Sequence, residues 1–224
     1  MTPPHWMRRF RQSTFALVVL STLVSHANQY TLADYYSLSR EPALVQAVQL
    51  LDTHSEMLTG TPMATLMAHP SHIIFQDLQL FGARYATDDA LTIVNNTTGE
   101  QVIYISHRHQ AAPAAALAAL ISHEVMHHDR HNSLQEELQA WSQEARVWLS
   151  FKTLYPELEQ VPIKACPLVD RLNAVAILLR SQQLETHLRQ NQGYADLPET
   201  SPGFEKHAHE DLHFSFNDSG HHLD

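Results

Sequence analysis

The sequence predicts an α+β domain that is mostly helical, with a small antiparallel or mixed sheet in its first half. Three short segments rich in β-branched residues lie between residues 72 and 106. From residue 113 onward, apolar residues recur at helical spacing. The chain has 224 residues, of which 44% are hydrophobic and 17% charged, and this is enough for one packed domain. A disordered or fibrous chain is therefore excluded.

The first 27 residues have the features of a secretory signal peptide. Three arginines precede an apolar run over residues 15–24. Ser25-His26-Ala27 then has the small-x-small pattern of a signal-peptide cleavage site. The uncharged stretch 12–25 is shorter than the ~20 residues that a membrane-spanning helix needs. We expect a secreted or periplasmic protein with no stable membrane span after signal removal. An uncleaved anchor is the alternative.

The predicted elements of the mature chain follow in order. A helix is predicted over residues 41–58, where Pro42 suits the first turn. Strands are predicted over 72–80, 90–94 and 101–106, and further helices over 113–131, 134–154 and 168–191. The sequence leaves open whether residues 28–70 form a prosegment, a lid or an ordinary part of the fold.

Residues 28–198 are predicted to form the domain and residues 199–224 a mostly disordered tail. The tail contains five histidines, six acids and one lysine. Flexible histidines bind divalent ions weakly and without selectivity, which favours a solvated tail over a dedicated metal site.

Charge and cysteine content exclude several functions. With 24 acidic and 14 basic residues the net charge is −10, and such a chain repels a phosphate backbone, so we expect no nucleic-acid partner. The single cysteine, Cys166, excludes an intramolecular disulfide and any cysteine-rich metal cage. Its place before an apolar helix favours a buried thiol over a disulfide between chains. A metal site would therefore use His, Asp and Glu.

The stretch His123-Glu124-Val125-Met126-His127 matches the pattern H-E-x-x-H. Two histidines at positions i and i+4 lie on one side of a helix and can bind one Zn²⁺, with Glu124 placed to accept a proton from an activated water. The helix is apolar on every side, so these polar residues need partners, which a metal would supply. Core histidines paired with ordinary neighbours are the alternative.

Glu137 is the predicted third ligand, since catalytic zinc commonly takes three protein ligands. On the helix over 134–154 it points towards the apolar stripe, whereas Glu136 is assigned to a capping box with Ser133. Ala140 is small enough to let two helices approach. Glu144 is a candidate to orient a ligand histidine, with an ordinary salt bridge as the alternative. His131 is a less favoured fourth candidate ligand.

The two motifs, His123-Glu124-x-x-His127 and Glu137-x-x-Ala140, resemble those of the zincin metallopeptidases of the glutamate-ligand branch, the gluzincins. This resemblance implies a zincin-like α+β catalytic domain, one Zn²⁺ per chain held by His123, His127 and Glu137, and Glu124 as general base. Many relatives place an acid four residues after the ligand glutamate, where this chain has Trp141.

The expected function is that of an exported zinc metallohydrolase that cleaves peptide bonds in a peptide or protein substrate. The alternatives are a non-catalytic zinc-binding or zinc-delivery protein, a protein whose zinc is purely structural, and a hydrolase of non-peptide amides. The strand over 102–106 is either an edge that pairs with substrate or an ordinary strand. Tyr194, His187 and Arg171 are candidate oxyanion donors among which spacing does not choose. Cleavage specificity and oligomeric state are left open.

Overall fold

The computed structural model describes residues 28–58, 62–69, 71–95, 97–127, 132–161 and 166–202. Within these ranges the protein has the predicted α+β class and is mostly helical. The helices are α1 Leu32–Leu38, α2 Pro42–Thr53, α3 Pro62–Ala68, α4 Ala114–Glu124, α5 Leu134–Leu154, α6 Pro167–Arg180 and α7 Leu184–Gln190; the strands are β1 Ser71–Gln76, β2 Ala90–Val94 and β3 Gln101–Ser106. The predicted signal peptide and residues 203–224 of the predicted tail lie outside the described residues.

The three strands form one mixed sheet in the order β1-β3-β2. β3 pairs with β1 in parallel and with β2 in an antiparallel arrangement. The strand over 102–106 is therefore the centre of the sheet, and of the two interpretations left open by the sequence the structure favours an ordinary, internal strand. β2 is the edge strand on the side of the predicted metal residues.

The core lies between the inner face of this sheet and the helices. Ile73, Ile103 and Ile105 are fully buried on that face. α4 packs against both α2 and α5, and every residue from Ala115 to Glu124 is buried. A helix that is apolar all round is stable only in such a central place. The buried helix predicted from the sequence is thereby confirmed.

Residues 28–69 contribute side chains to the same core. Tyr35, Leu38, Met63 and Leu66 of the two short helices α1 and α3, which the sequence did not predict, are buried within it. The Tyr35 hydroxyl donates hydrogen bonds to the buried Asp52 carboxylate, at 2.5 Å, and to the carbonyl oxygen of Tyr30, at 3.0 Å. The described part of this segment is thus built into the domain.

Three predicted elements away from the H-E-x-x-H motif have other bounds in the structure. The first strand stops at Gln76 because the side chain of Asp77 accepts a hydrogen bond from the backbone of Gln79 and begins a 3₁₀ turn. The helix over 168–191 is two helices, since Gln182 takes a left-handed backbone conformation with φ of 58°. The helix over 41–58 ends at Thr53.

The first residues of the predicted tail contact α5. The carbonyl oxygens of Pro198 and Glu199 accept hydrogen bonds from the backbone N–H groups of Leu134 and Gln135. These two N–H groups belong to the first two residues of α5 and have no hydrogen-bond partner within the helix. Pro198 and Glu199 therefore cap the helix that carries Glu137. No helix in the described ranges is long and apolar enough to cross a membrane.

Candidate metal centre

His123 lies in the last turn of α4, which stops at Glu124 and not at residue 131 as predicted, and His127 lies in the turn that follows. The backbone then tightens, with the N–H groups of Met126 and His127 bonding to the carbonyls three residues earlier. The side chain of Gln101, on β3, donates to the carbonyl oxygens of Glu124 and His127 and so caps the helix end. This turn keeps the two imidazole rings together, with centroids 5.3 Å apart.

Glu137 lies in the first turn of α5 and faces both histidines. Its carboxylate oxygens are 3.8 Å from Nε2 of His123 and 3.9 Å from Nε2 of His127. The ligand atoms of the three residues all lie within 4.8 Å of one another. Ala140, one turn along α5, is fully buried where the two helices pack. The structure thus brings together the three residues that the sequence selected as ligands.

The second ring nitrogen of each histidine faces another buried carboxylate. Nδ1 of His127 is 2.9 Å from Oε1 of Glu136. Nδ1 of His123 is 3.8 Å from Oε2 of Glu144, and this buried nitrogen has no hydrogen-bond partner in the described residues. In metal sites such carboxylates fix the tautomer and the orientation of the ligand ring. The donor set therefore suits a divalent metal held by both Nε2 atoms and by Glu137.

Glu136 was predicted to form a capping box with Ser133, and half of that box is present. Its backbone N–H does donate to Ser133 Oγ at 3.3 Å, as in the predicted cap. Its carboxylate instead accepts from His127 and from the hydroxyl of the buried Ser201. The position of Glu136 on α5 did not predict this contact. His127 approaches from the turn after α4, and the periodicity of α5 carries no information about that direction.

Glu137 is also held by two donors of its own. The indole Nε1–H of Trp141 donates to Oε2 at 3.1 Å, and the amide of Asn132 donates to Oε1. Trp141 stands four residues after Glu137, where the resemblance noted in the sequence would place an acid. Trp141 donates to Glu137, while Glu136 and Glu144 face the histidines.

Glu124, the predicted general base, is buried beside the two histidines. Its Oε2 accepts a hydrogen bond of 2.7 Å from the hydroxyl of Thr92 on β2. Burial raises the pKa of Glu124 to about 7, although the positive charge of His127 and the Thr92 hydrogen bond both lower it. A carboxylate with a pKa near neutrality is suited to accept and return a proton.

The pKa values of the two histidines are shifted in opposite directions. Burial lowers the pKa of His123 to about 3, so this ring is neutral and its nitrogen lone pair is free. Burial also opposes charge on His127, but the hydrogen bond to Glu136 and the charges of Glu137 and Glu124 outweigh it and raise its pKa to about 9. In the metal-free protein the proton on His127 neutralises part of the negative charge of the surrounding carboxylates. A bound cation would neutralise the same charge.

A network of charges lies behind His123. Arg171 of α6 contacts both carboxylate oxygens of Glu144, one of them at 2.8 Å, and also ion-pairs with Asp89. Asp89 in turn contacts Arg108 and lies 2.6 Å from Nε2 of His109. Burial opposes ionisation of Asp89, but these partners outweigh burial and hold the pKa of Asp89 below its usual range. The prediction placed Arg171 only among oxyanion donors and did not foresee the network.

The candidate centre opens into a cavity of about 1300 Å³. His123, His127, Glu124 and Glu137 line it, and the whole of β2 forms one wall. Of the three candidate oxyanion donors, Tyr194 and Arg171 line the cavity, whereas His187 packs against the ring of Trp141 with centroids 6.2 Å apart. His131 lies outside the described residues. The site thus joins three potential metal ligands, a buried carboxylate and a cavity.

Comparisons of the chain with protein-family models, with curated proteins and with solved structures found no match.

Proposed function

We propose that this protein is an exported zinc metallohydrolase of the zincin type that cleaves peptide bonds. The observation that carries the proposal is the convergence of His123, His127 and Glu137 on one point, within 4.8 Å, in the cavity that Glu124 also lines. Two imidazoles and one carboxylate form the ligand set of several catalytic zinc sites, which keep a further position open for water. One Zn²⁺ per chain is expected.

Each residue has a role that follows from its environment. Zinc, when bound at such a site, activates water and polarises the scissile carbonyl group. Glu124 accepts the proton of the attacking water and passes it to the leaving amine, for which its raised pKa is suited. Tyr194 is the proposed donor to the oxyanion because it lines the cavity, its ring packs against Trp141 with centroids 6.2 Å apart, and a tyrosine hydroxyl is protonated at neutral pH.

The wall formed by β2 supports a peptide as the substrate. β2 pairs with β3 on one side only within the described sheet, and its residues 90–94 line the cavity. The unpaired backbone groups of an edge strand can pair with an extended peptide. Thr92 of this strand bonds to Glu124, so a peptide bound along β2 passes next to the proposed base.

The test measures zinc content and peptide hydrolysis in the chain from Asn28 to Asp224. Glu124→Gln is expected to keep one zinc and to lose hydrolysis by about 10²–10⁴-fold, because only the proton transfer is removed. His123→Ala and Glu137→Ala are expected to lower the zinc content. Glu185→Gln, which changes an exposed acid of α7, is the matched control. Full hydrolysis by Glu124→Gln would contradict the role of Glu124.

A chain ending at Pro202 separates the enzyme from a zinc-delivery protein. This boundary keeps Glu199 and Ser201, which contact α5. An enzyme is expected to keep one tight zinc and full hydrolysis after removal of residues 203–224. A delivery protein would lose metal stoichiometry with its histidine-rich tail and would show no turnover in either form.

A further inference from the structure

Arg171 comes from α6, a helix that supplies none of the proposed ligands. Its guanidinium group engages Glu144, whose side chain is completely buried. A buried carboxylate without a cationic partner is strongly destabilised. Nη1 of Arg171 donates to Oε2 of Glu144 at 2.8 Å and Nη2 contacts Oε1, so the planar guanidinium fixes both oxygens of the carboxylate.

Glu144 connects this pair to a proposed ligand. Its Oε2 is 3.8 Å from Nδ1 of His123, which is buried and lacks a hydrogen-bond partner in the described residues. A neutral histidine that binds a metal through Nε2 carries its proton on Nδ1 and needs an acceptor there. Glu144 is the carboxylate that faces this nitrogen. The orientation of the His123 ring therefore depends on where Arg171 holds Glu144.

A second connection runs from Arg171 to Glu137. The guanidinium carbon lies 5.8 Å from the centroid of the Trp141 ring, a cation–π distance. The indole Nε1–H of Trp141 donates to Oε2 of Glu137 at 3.1 Å. On its other side Arg171 ion-pairs with Asp89, the residue before β2. One guanidinium thus contacts the supports of two proposed ligands and the start of the edge strand.

We propose that Arg171 is the positioning residue of the metal centre, fixing His123 through Glu144 and Glu137 through Trp141. This inference rests on the proposed zinc-dependent function. A direct role in binding a substrate carboxylate is the competing interpretation, because Arg171 also lines the cavity. Its charge is already offset by Glu144 and Asp89, which favours the positioning role.

The experiment compares wild type, Arg171→Lys, Arg171→Met and Arg189→Met in the chain from Asn28 to Asp224. Arg189 also pairs with two carboxylates, those of Glu185 and Glu199, but on the exposed face of α7, so it is the matched control. Zinc affinity is measured by competition with a chelator, and the visible absorption spectrum of the Co²⁺-loaded protein reports the ligand geometry. Neither measurement uses hydrolysis.

Arg171→Met is expected to weaken zinc binding by about 10- to 100-fold and to change the Co²⁺ spectrum, as loss of an outer partner of a ligand does. Arg171→Lys keeps the charge but loses the bidentate contact with Glu144. Its zinc affinity is therefore expected to lie between those of wild type and Arg171→Met. Arg189→Met should match wild type. Arg171→Met leaves the buried charge of Glu144 unpaired, so the substitution is also made in a Glu144→Gln background. The loss of zinc affinity from Glu144→Gln to Glu144→Gln/Arg171→Met is expected to be smaller than the loss from wild type to Arg171→Met.

Each outcome decides the proposal. Unchanged zinc affinity and an unchanged Co²⁺ spectrum in folded Arg171→Lys and Glu144→Gln/Arg171→Met would overturn the positioning role and leave the proposed hydrolase standing. An effect confined to the KM for anionic peptides would also overturn it, in favour of substrate binding. Weakened zinc binding in a protein whose wild type cleaves no peptide would support the role of Arg171 and contradict the proposed function. A wild type that takes up no metal would contradict both.

Discussion

The hydroxyl of Thr92 donates a hydrogen bond of 2.7 Å to Oε2 of Glu124, across 32 positions of sequence. It also lies 3.3 Å from the backbone carbonyl oxygen of Glu124. Thr92 is central in the edge strand β2, so the proposed base and the proposed substrate-binding strand are directly joined. A donor to the ionised form of a carboxylate stabilises that form and lowers its pKa.

Thr92→Val is therefore expected to raise the pKa of Glu124 further above its usual value. The base must be ionised to accept a proton, so the acidic limb of the kcat/KM profile should move to higher pH. The pH dependence of peptide hydrolysis checks this. Thr153→Val, which removes an exposed hydroxyl of α5, serves as the control and should leave the profile unchanged. A shift of the limb to lower pH would contradict the assigned hydrogen bond.

Glu136→Gln is expected to weaken zinc binding by about 10- to 100-fold without unfolding the protein. The glutamate accepts from Nδ1 of His127 at 2.9 Å, and its loss removes the group that fixes this ring and raises its basicity. Competition with a chelator measures the change. Glu159→Gln, at an exposed ion pair with Lys152, should bind zinc as wild type does. Equal affinities in both variants would show that Glu136 does not act on the metal.

The sequence predicted the clustering of His123, His127 and Glu137 because the H-E-x-x-H motif and the acid of α5 lie in elements with clear signals. The bounds of β2, β3 and α5 match the predictions, since the polar turn before Glu100 and the Ser133 cap mark them. The break at Gln182 was missed because no glycine stands there. It was hidden in a continuous helical pattern.

The supporting contacts of the site were not predictable in the same way. Gln101 caps α4 from the centre of the sheet, and Arg171 reaches Glu144 across 27 positions. Such pairs depend on how distant elements pack, and neither helical nor strand periodicity carries that information. The sequence left open whether β3 is an edge for the same reason, since strand order is a property of the assembled sheet.

Asp89→Asn is expected to destabilise the protein at neutral pH by about 1.5–3 kcal/mol, the usual range for hydrogen bonds to a charged group. The pKa of Asp89 in the folded protein is below the pKa of an aspartate in the unfolded chain. The ionised carboxylate therefore stabilises the fold at pH values above the unfolded pKa, and this stabilisation is lost as the pH falls. The difference in unfolding free energy between wild type and variant should be constant above about pH 5 and shrink below about pH 4. Denaturant unfolding across pH measures it.

The neighbouring residue provides the control for Asp89. Partial desolvation, together with the charges of Asp89 and Glu137, outweighs the attraction of Arg108 and Arg84 and raises the pKa of Asp88. The ionised Asp88 carboxylate therefore does not stabilise the fold, and Asp88→Asn should not lower the unfolding free energy at neutral pH. A difference for Asp89→Asn that grows on acidification would show that the ion pairs of Asp89 do not stabilise the fold.

Tyr35→Phe tests the contacts of α1 with the core. The variant removes the hydroxyl that donates to Asp52 and leaves this buried carboxylate with the backbone N–H of Tyr30 as its described donor. We expect a loss of about 1–3 kcal/mol in unfolding free energy, the cost of leaving a buried polar group short of a partner. Tyr36→Phe, at a side chain that is 48% exposed, should change it by less than about 0.5 kcal/mol. Equal effects would contradict the packing of α1.

The role of β2 can be tested in the substrate, without a mutation that disturbs the sheet. If a peptide pairs with this strand, replacing a substrate N–H by an ester oxygen, away from the bond that is cut, removes a donor and repels the facing carbonyl oxygen. The KM should be raised when the ester replaces every second N–H along the peptide and unchanged when it replaces the others. The reason is that successive N–H groups of an extended chain point to opposite sides. Steady-state kinetics on a series of single-ester peptides measures this. A uniform response along the series would assign substrate binding to side chains of the cavity, and β2 would then be a wall only.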